Sequence, residues 1–179
     1  MTRIAWWQRI EHISGESRLC LACNRWGAQR AIVRVFRTVS RLGDGVFWYM
    51  LILAIAIFGG ANGPAAALHM LLTGAVAALL YRVLKHWTRR PRPYRAHAGI
   101  VAHIAPLDEY SFPSGHTLHA VTFTLIALAW FPLLAPVLIP FTVLVAMSRV
   151  VLGLHYPTDV LIATAIGFAL AEVSLWIVL

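Results

Sequence analysis

Residues 117–148 read TLHAVTFTLIALAWFPLLAPVLIPFTVLVAMS, with no Asp, Glu, Lys or Arg among them. Residues 46–81 are equally free of charge. Apolar runs longer than about 18 residues point to membrane spans. A large soluble core is the bland alternative, but its helices would still need polar faces toward water. Only 12% of the chain is charged and 60% is hydrophobic, whereas a soluble domain carries roughly 25% charged residues. The expected fold is therefore all-α, a polytopic helix bundle in a membrane.

On either side of this stretch, turn residues divide the chain into about five transmembrane spans: 46–60, 65–84, 117–131, 137–151 and one from Pro157 or Thr158 to the end. Residues 59–64 (Gly-Gly-Ala-Asn-Gly-Pro) and 132–136 turn the chain, and a polar, Pro-rich loop covers 85–113. Proline suits the first turn of the last span. Three of the spans are short for a bilayer of about 30 Å. Upstream, 17–41 reads as one amphipathic helix lying on the interface. Arg30, Arg34, Arg37 and Arg41 form a basic stripe too costly to bury in hydrocarbon, and Gly43-Asp44-Gly45 ends that helix. Trp6 and Trp7 read as headgroup-level anchors. The chain thus divides into an N-terminal interfacial segment, 1–43, and a membrane domain, 44–179.

Fifteen Lys and Arg stand against seven Asp and Glu, a net charge of +8. Anionic lipid or an anionic substrate accounts for this excess without a nucleic-acid partner. Residues 1–13 lack an apolar core long enough for a cleavable signal peptide. Crossing counts put every Lys and Arg on one face, and the positive-inside rule assigns that face to the cytoplasm. Cys20-Leu21-Ala22-Cys23 lacks a second ligand pair and reads as two small apolar groups on one helix face.

Three clusters carry chemistry. They are Lys85-His86-Trp87-Thr88-Arg89-Arg90-Pro91-Arg92-Pro93, then Pro113-Ser114-Gly115-His116, then Ser148-Arg149 followed by His155 and Asp159. A helical hairpin between the second and third brings all three to one membrane surface. Phosphoryl transfer needs fixed donors on the phosphate oxygens. Lys85, Arg92 and Arg149 supply cations, while Ser114 and Gly115 open a helix whose free N–H groups favour an anion. His155, as neutral imidazole, is a nucleophile in reach of Asp159 four residues on. His116 is available to protonate the leaving alkoxide and then to activate water.

Lys-x6-Arg-Pro, Pro-Ser-Gly-His and Ser-Arg-x5-His-x3-Asp, in this order over 85–159, resemble the type 2 phosphatidic acid phosphatase (PAP2) superfamily. The resemblance implies a membrane phosphatase acting on a phosphorylated lipid through a phosphohistidine, with no cofactor and no metal. It implies His155 as nucleophile, Asp159 as its partner and His116 as acid and base. Lys85, Arg92, Ser114, Gly115 and Arg149 then hold phosphate. Phosphatidic acid, phosphatidylglycerol phosphate and prenyl phosphates or diphosphates are the candidate substrates, and a bacterial inner membrane is the expected location. Membrane members often have six spans and an outward-facing site. Here the first span is replaced by the arginine-striped segment, which leaves both orientations open and favours the cytoplasmic one.

Two other functions remain in view: a non-catalytic lipid-binding or transport protein on the same fold, and a vanadate-dependent haloperoxidase, disfavoured because the known type is soluble. Arg89, Arg90 and Arg95 fall outside the motif and read as headgroup contacts or topology signals. His86, His97, His103 and His119 have no metal-ligand spacing and read as surface or interface histidines. Asp108 and Glu109 read as a solvated loop that could shape substrate entry. Glu172, alone inside the last span, is a candidate for a helix, protomer or substrate contact, so a homo-oligomer stays open.

Overall fold

The computed structural model describes residues 14–178, and within them the regular structure is helical. Trp6 and Trp7 lie outside the described residues. The expected single helix over 17–41 is two, α1 (Ser14–Trp26) and α2 (Arg30–Arg41), separated at Gly27, Ala28 and Gln29. Gln29 is extended, with ψ 130°, which stops α1 from running into α2. The stop expected at Gly43-Asp44-Gly45 is instead a kink. A π turn, Leu42–Val46, joins α2 to α3 (Phe47–Phe58), and Gly45 takes φ 143° within it. Only glycine adopts that backbone without strain.

The remaining long helices follow the apolar runs, and a short α5 (Pro93–Ala96) lies in the polar loop. The long ones are α4 (Gly63–Thr88), α6 (Gly115–Trp130), α7 (Ala135–Val151) and α8 (Pro157–Val178). Helix α4 continues past the expected end of its span, so Lys85 stands on its last turn. Among the described residues, four stretches, against about five expected, are long and apolar enough to cross a membrane: Arg30–Phe58, Gly60–Ala96, Pro132–Val151 and Pro157–Val178. Helix α6, with 16 residues, extends only about 24 Å. It is the central helix, packed against α4, α7 and α8. Its neighbours shield it from lipid, so it need not span the bilayer alone.

Large apolar side chains point outward on the other helices, among them Leu53, Leu72, Leu79, Leu161, Phe168 and Trp176. This is the surface a lipid-embedded bundle presents. Inside, Trp48, Met70, Phe123, Ile126 and Leu138 join α3, α4, α6 and α7 in one cluster. Lipid gives helices little hydrophobic reason to associate, so packing and interhelical hydrogen bonds matter more. Thr124 and Thr142 join α6 to α7 at 2.6 Å, Thr122 donates to Gly167 O on α8 at 3.2 Å, and His69 bonds Ser174 at 3.0 Å while accepting from Trp130. These features make the chain an integral membrane protein.

The N-terminal helices dock on the bundle. Helix α2 packs on α7, and α1 on α7 and α8. Asn24 donates to Val101 O and Val151 O and accepts from Val101 N. Arg37 donates to His103 O at 2.8 Å. The arginine stripe itself remains exposed. Segment 14–46 therefore clamps the irregular loop that follows α5.

Candidate active site

Each predicted site residue is positioned by the end of an element, all at the same end of the bundle. Lys85 sits on the last turn of α4. Arg92 caps the start of α5, Ser114 is the N-cap of α6, and Arg149 lies in the last turn of α7. His155 occupies the tight connection before α8, whose first turn holds Asp159. Lys85, Arg92, Gly115, His116, Arg149 and His155 line one cleft of about 830 Å³. Ser114 and Asp159 are fully buried, joined by a bond from Ser114 N to Asp159 O. The Ser114 hydroxyl accepts from Thr117 N, a helix cap of the expected kind.

The cations are desolvated but held. Lys85 Nζ lies 2.6 and 2.7 Å from the two carboxylate oxygens of Asp108 and donates to Tyr110 O. Arg92 donates through Nη2 to Asp108 at 2.8 Å and through Nε to Asp108 O. Its Nη1 donates to Leu154 O and lies 3.3 Å from His155 Nε2. Arg149 contacts the Ser40 hydroxyl. Burial alone would raise the Asp108 carboxyl, but Lys85 and Arg92 hold it below the usual carboxylate range.

His155 is 1% exposed. Burial, then Arg92, Arg149 and Lys85, push its proton affinity well below that of a free imidazole. The ring is therefore neutral at neutral pH. Nε2 faces the Arg92 guanidinium, which can only donate, so Nε2 carries the lone pair and Nδ1 the proton. Nδ1 lies 3.5 Å from Asp159 Oδ2 and has no hydrogen-bond partner. Asp159 is engaged elsewhere, accepting from Tyr156 N at 2.9 Å and Arg90 at 2.7 Å.

Several residues that the sequence left aside belong to this site. Arg90, read as a headgroup contact, is fully buried. It bonds Asp159 and, at 3.0 Å, Glu16, and it stacks on Tyr156 at 3.9 Å. Asp108, read as a solvated loop residue, is part-exposed on its loop but pairs with Lys85 and Arg92. Asp44, in the π turn, contacts His116 Nε2. Glu16, Ser40 and Asp44 thus bring the N-terminal segment onto Arg90, Arg149 and His116. Glu109 pairs with Arg95 at the surface and lines the cleft. Glu172 is exposed on the outer face of α8 and does not line the cleft. Cys20 packs against Tyr156 and Ile100 as an apolar group, its thiol pushed up to about 12 by burial, Glu16 and Asp159.

The PAP2 superfamily model matches residues 66–179, which hold every residue of the three clusters. The chain belongs to the PAP2 superfamily. An undecaprenyl-diphosphatase of Bacillus subtilis is 31% identical over 129 residues, 69% of this chain and 65% of its own length. The chain therefore spans slightly less than two thirds of that PAP2 relative. A decaprenylphosphoryl-5-phosphoribose phosphatase of Mycobacterium tuberculosis is 30% identical over 73% of this chain and 72% of its own. Among solved PAP2 structures, a transmembrane phosphatidylglycerolphosphate phosphatase of Bacillus subtilis superposes with TM-score 0.69 and 27% identity, covering 92% of this chain and 84% of that one. Glu16, Ser40 and Asp44 precede the segment that the family model matches.

Proposed function

We propose that this protein is a membrane lipid phosphate phosphatase that works through a phosphohistidine on His155. The observation that carries this reading is His155 itself: a buried, neutral imidazole whose Nε2 carries its lone pair toward Arg92 at 3.3 Å, beside a cleft that Lys85, Arg92 and Arg149 line. Nε2 attacks phosphorus, the P–N bond forms, and the P–O bond to the lipid breaks. Burial and Arg149 push His116 toward the neutral form, and Asp44 acts against them to hold its proton, which it gives to the departing oxygen. Asp159, 3.5 Å from Nδ1, stabilises the positive charge that develops on the ring. In the second step, His116 takes a proton from water as that water attacks phosphorus, and the P–N bond breaks. Lys85, Arg92, Arg149 and the first N–H groups of α6, behind Ser114 and Gly115, hold the phosphoryl oxygens.

The cleft continues from this polar end between α3 and α4, along Trp48, Ile52, Leu71 and the small residues Gly74, Ala75 and Ala78. Those walls suit a lipid tail. The relatives are named for undecaprenyl diphosphate, decaprenylphosphoryl-phosphoribose and phosphatidylglycerol phosphate. The shared feature is a phosphorylated lipid, and a prenyl or diacyl chain would fit this groove. The exposed arginines of α2 suit the interface, and the basic end faces the cytoplasm under the positive-inside rule.

The test is phosphate release from diacyl and prenyl substrates by sealed inverted and right-side-out vesicles in EDTA, with water-soluble vanadate added outside. Turnover that external vanadate blocks in inverted vesicles, and that is lost in His155→Ala, is expected. Full activity in His155→Ala, or strict dependence on magnesium, contradicts the chemistry. Blockade only in right-side-out vesicles reverses the orientation.

A further inference from the structure

The cations assigned to the substrate phosphate already hold an anion. Asp108 places both carboxylate oxygens on Lys85 and one on Arg92, at 2.6 to 2.8 Å. The same Arg92 guanidinium touches His155 Nε2 through Nη1. The carboxylate thus occupies Arg92, the cation that touches the nucleophile, together with Lys85, where the reacting phosphate has to bind. Backbone carbonyls hold both cations as well: Asp108 O and Leu154 O accept from Arg92, and Tyr110 O accepts from Lys85. The Asp108 side chain is 38% exposed and stands on an irregular loop, so it can leave by rotation.

We propose that Asp108 is a built-in competitor that reserves the site for phosphate groups carrying more than one negative charge. The inference rests on the phosphatase reading above. Most anionic bilayer lipids are phosphodiesters with one negative charge, and they surround the cleft at high local concentration. Exchanging Asp108 for such a headgroup trades one monoanion for another and must also overcome the effective concentration of a tethered group. A phosphomonoester dianion or a diphosphate brings more charge and more terminal oxygens to Lys85, Arg92 and Arg149. Only those groups gain by displacing the carboxylate. The residue acts on specificity through repulsion of the wrong ligand as much as attraction of the right one.

The experiment is calorimetric titration of the full chain in detergent micelles with inorganic phosphate, for wild type, Asp108→Asn and Asp108→Ser. It is then repeated in mixed micelles containing phosphatidylglycerol. Phosphate is expected to bind both variants at least about tenfold more tightly than wild type. Phosphatidylglycerol is expected to compete with phosphate in the variants and not in wild type. Equal or weaker phosphate binding in both variants would mean that Asp108 orients Lys85 and Arg92, and it overturns the proposal. Tighter binding without competition from phosphatidylglycerol overturns the selectivity. These readouts need no turnover, so a chain that binds as described but hydrolyses nothing would refute the phosphatase reading alone.

Discussion

Arg90 shows how a side chain outside the recognised spacing comes to organise a site. Its guanidinium is the only cation bonded to two buried carboxylates among the described residues, those of Glu16 and Asp159. Burying charge is tolerated when it is paired and hydrogen-bonded, and removing one partner is costly. Arg90→Met should therefore destabilise the protein by about 3–5 kcal/mol, read as a lower unfolding midpoint in detergent. Glu16→Gln in the same background should recover part of the loss. An unchanged midpoint in Arg90→Met would contradict this account. The motif residues were legible in the sequence because their types and spacings are local. Glu16, Ser40, Asp44 and Asp108 were not. Each meets its partners across 16 to 142 positions, and no periodicity marks such a pair in a single sequence.

At the scale of elements, the site depends on how closely α6 and α8 approach. Gly167 is the contact point. A Cβ there would lie 2.8 Å from Leu118 O and 3.1 Å from Val121 Cβ. Helix α6 begins at Gly115 and His116, while α8 begins beside His155 and carries Asp159. Gly167→Leu should wedge the helices apart and move these groups relative to one another. Turnover should then fall on the order of a hundredfold, the cost of about 1 Å of misplacement, with a lower unfolding temperature. Leu161→Ala, on the exposed face of α8, should change neither, and equal behaviour of the two variants would refute the argument. Most span positions were readable because turn residues punctuate the apolar runs. The kink at Gly45 was not, because Gly43-Asp44-Gly45 reads equally as a stop. The separation of α1 from α2 was also hidden, since Gly27-Ala28-Gln29 holds one glycine and no proline, and the arginine stripe begins only beyond it.

Across the whole molecule, the two ends of the bundle differ in chemistry. Lys85, Arg92, Arg149, His116 and His155 gather at one end. At the other, the turns at Gly59 and Phe131 touch each other and hold no Lys or Arg. The N-terminal segment closes over the charged end and contributes to it, so family membership from residue 66 onward leaves part of the site unaccounted for. The sequence showed a bundle with clustered basic residues, but it could not show that α1 and α2 fold back onto the charged end. The central claim is that phosphate passes through His155. An aryl phosphate needs little help from an acid to leave, so His116→Ala should still be phosphorylated while hydrolysis of the intermediate slows. Mass spectrometry of the base-quenched His116→Ala protein, digested and mapped, should find one phosphoryl group on His155 and none in His116→Ala/His155→Ala. A phosphoryl group on any other residue, or its persistence without His155, would contradict the account.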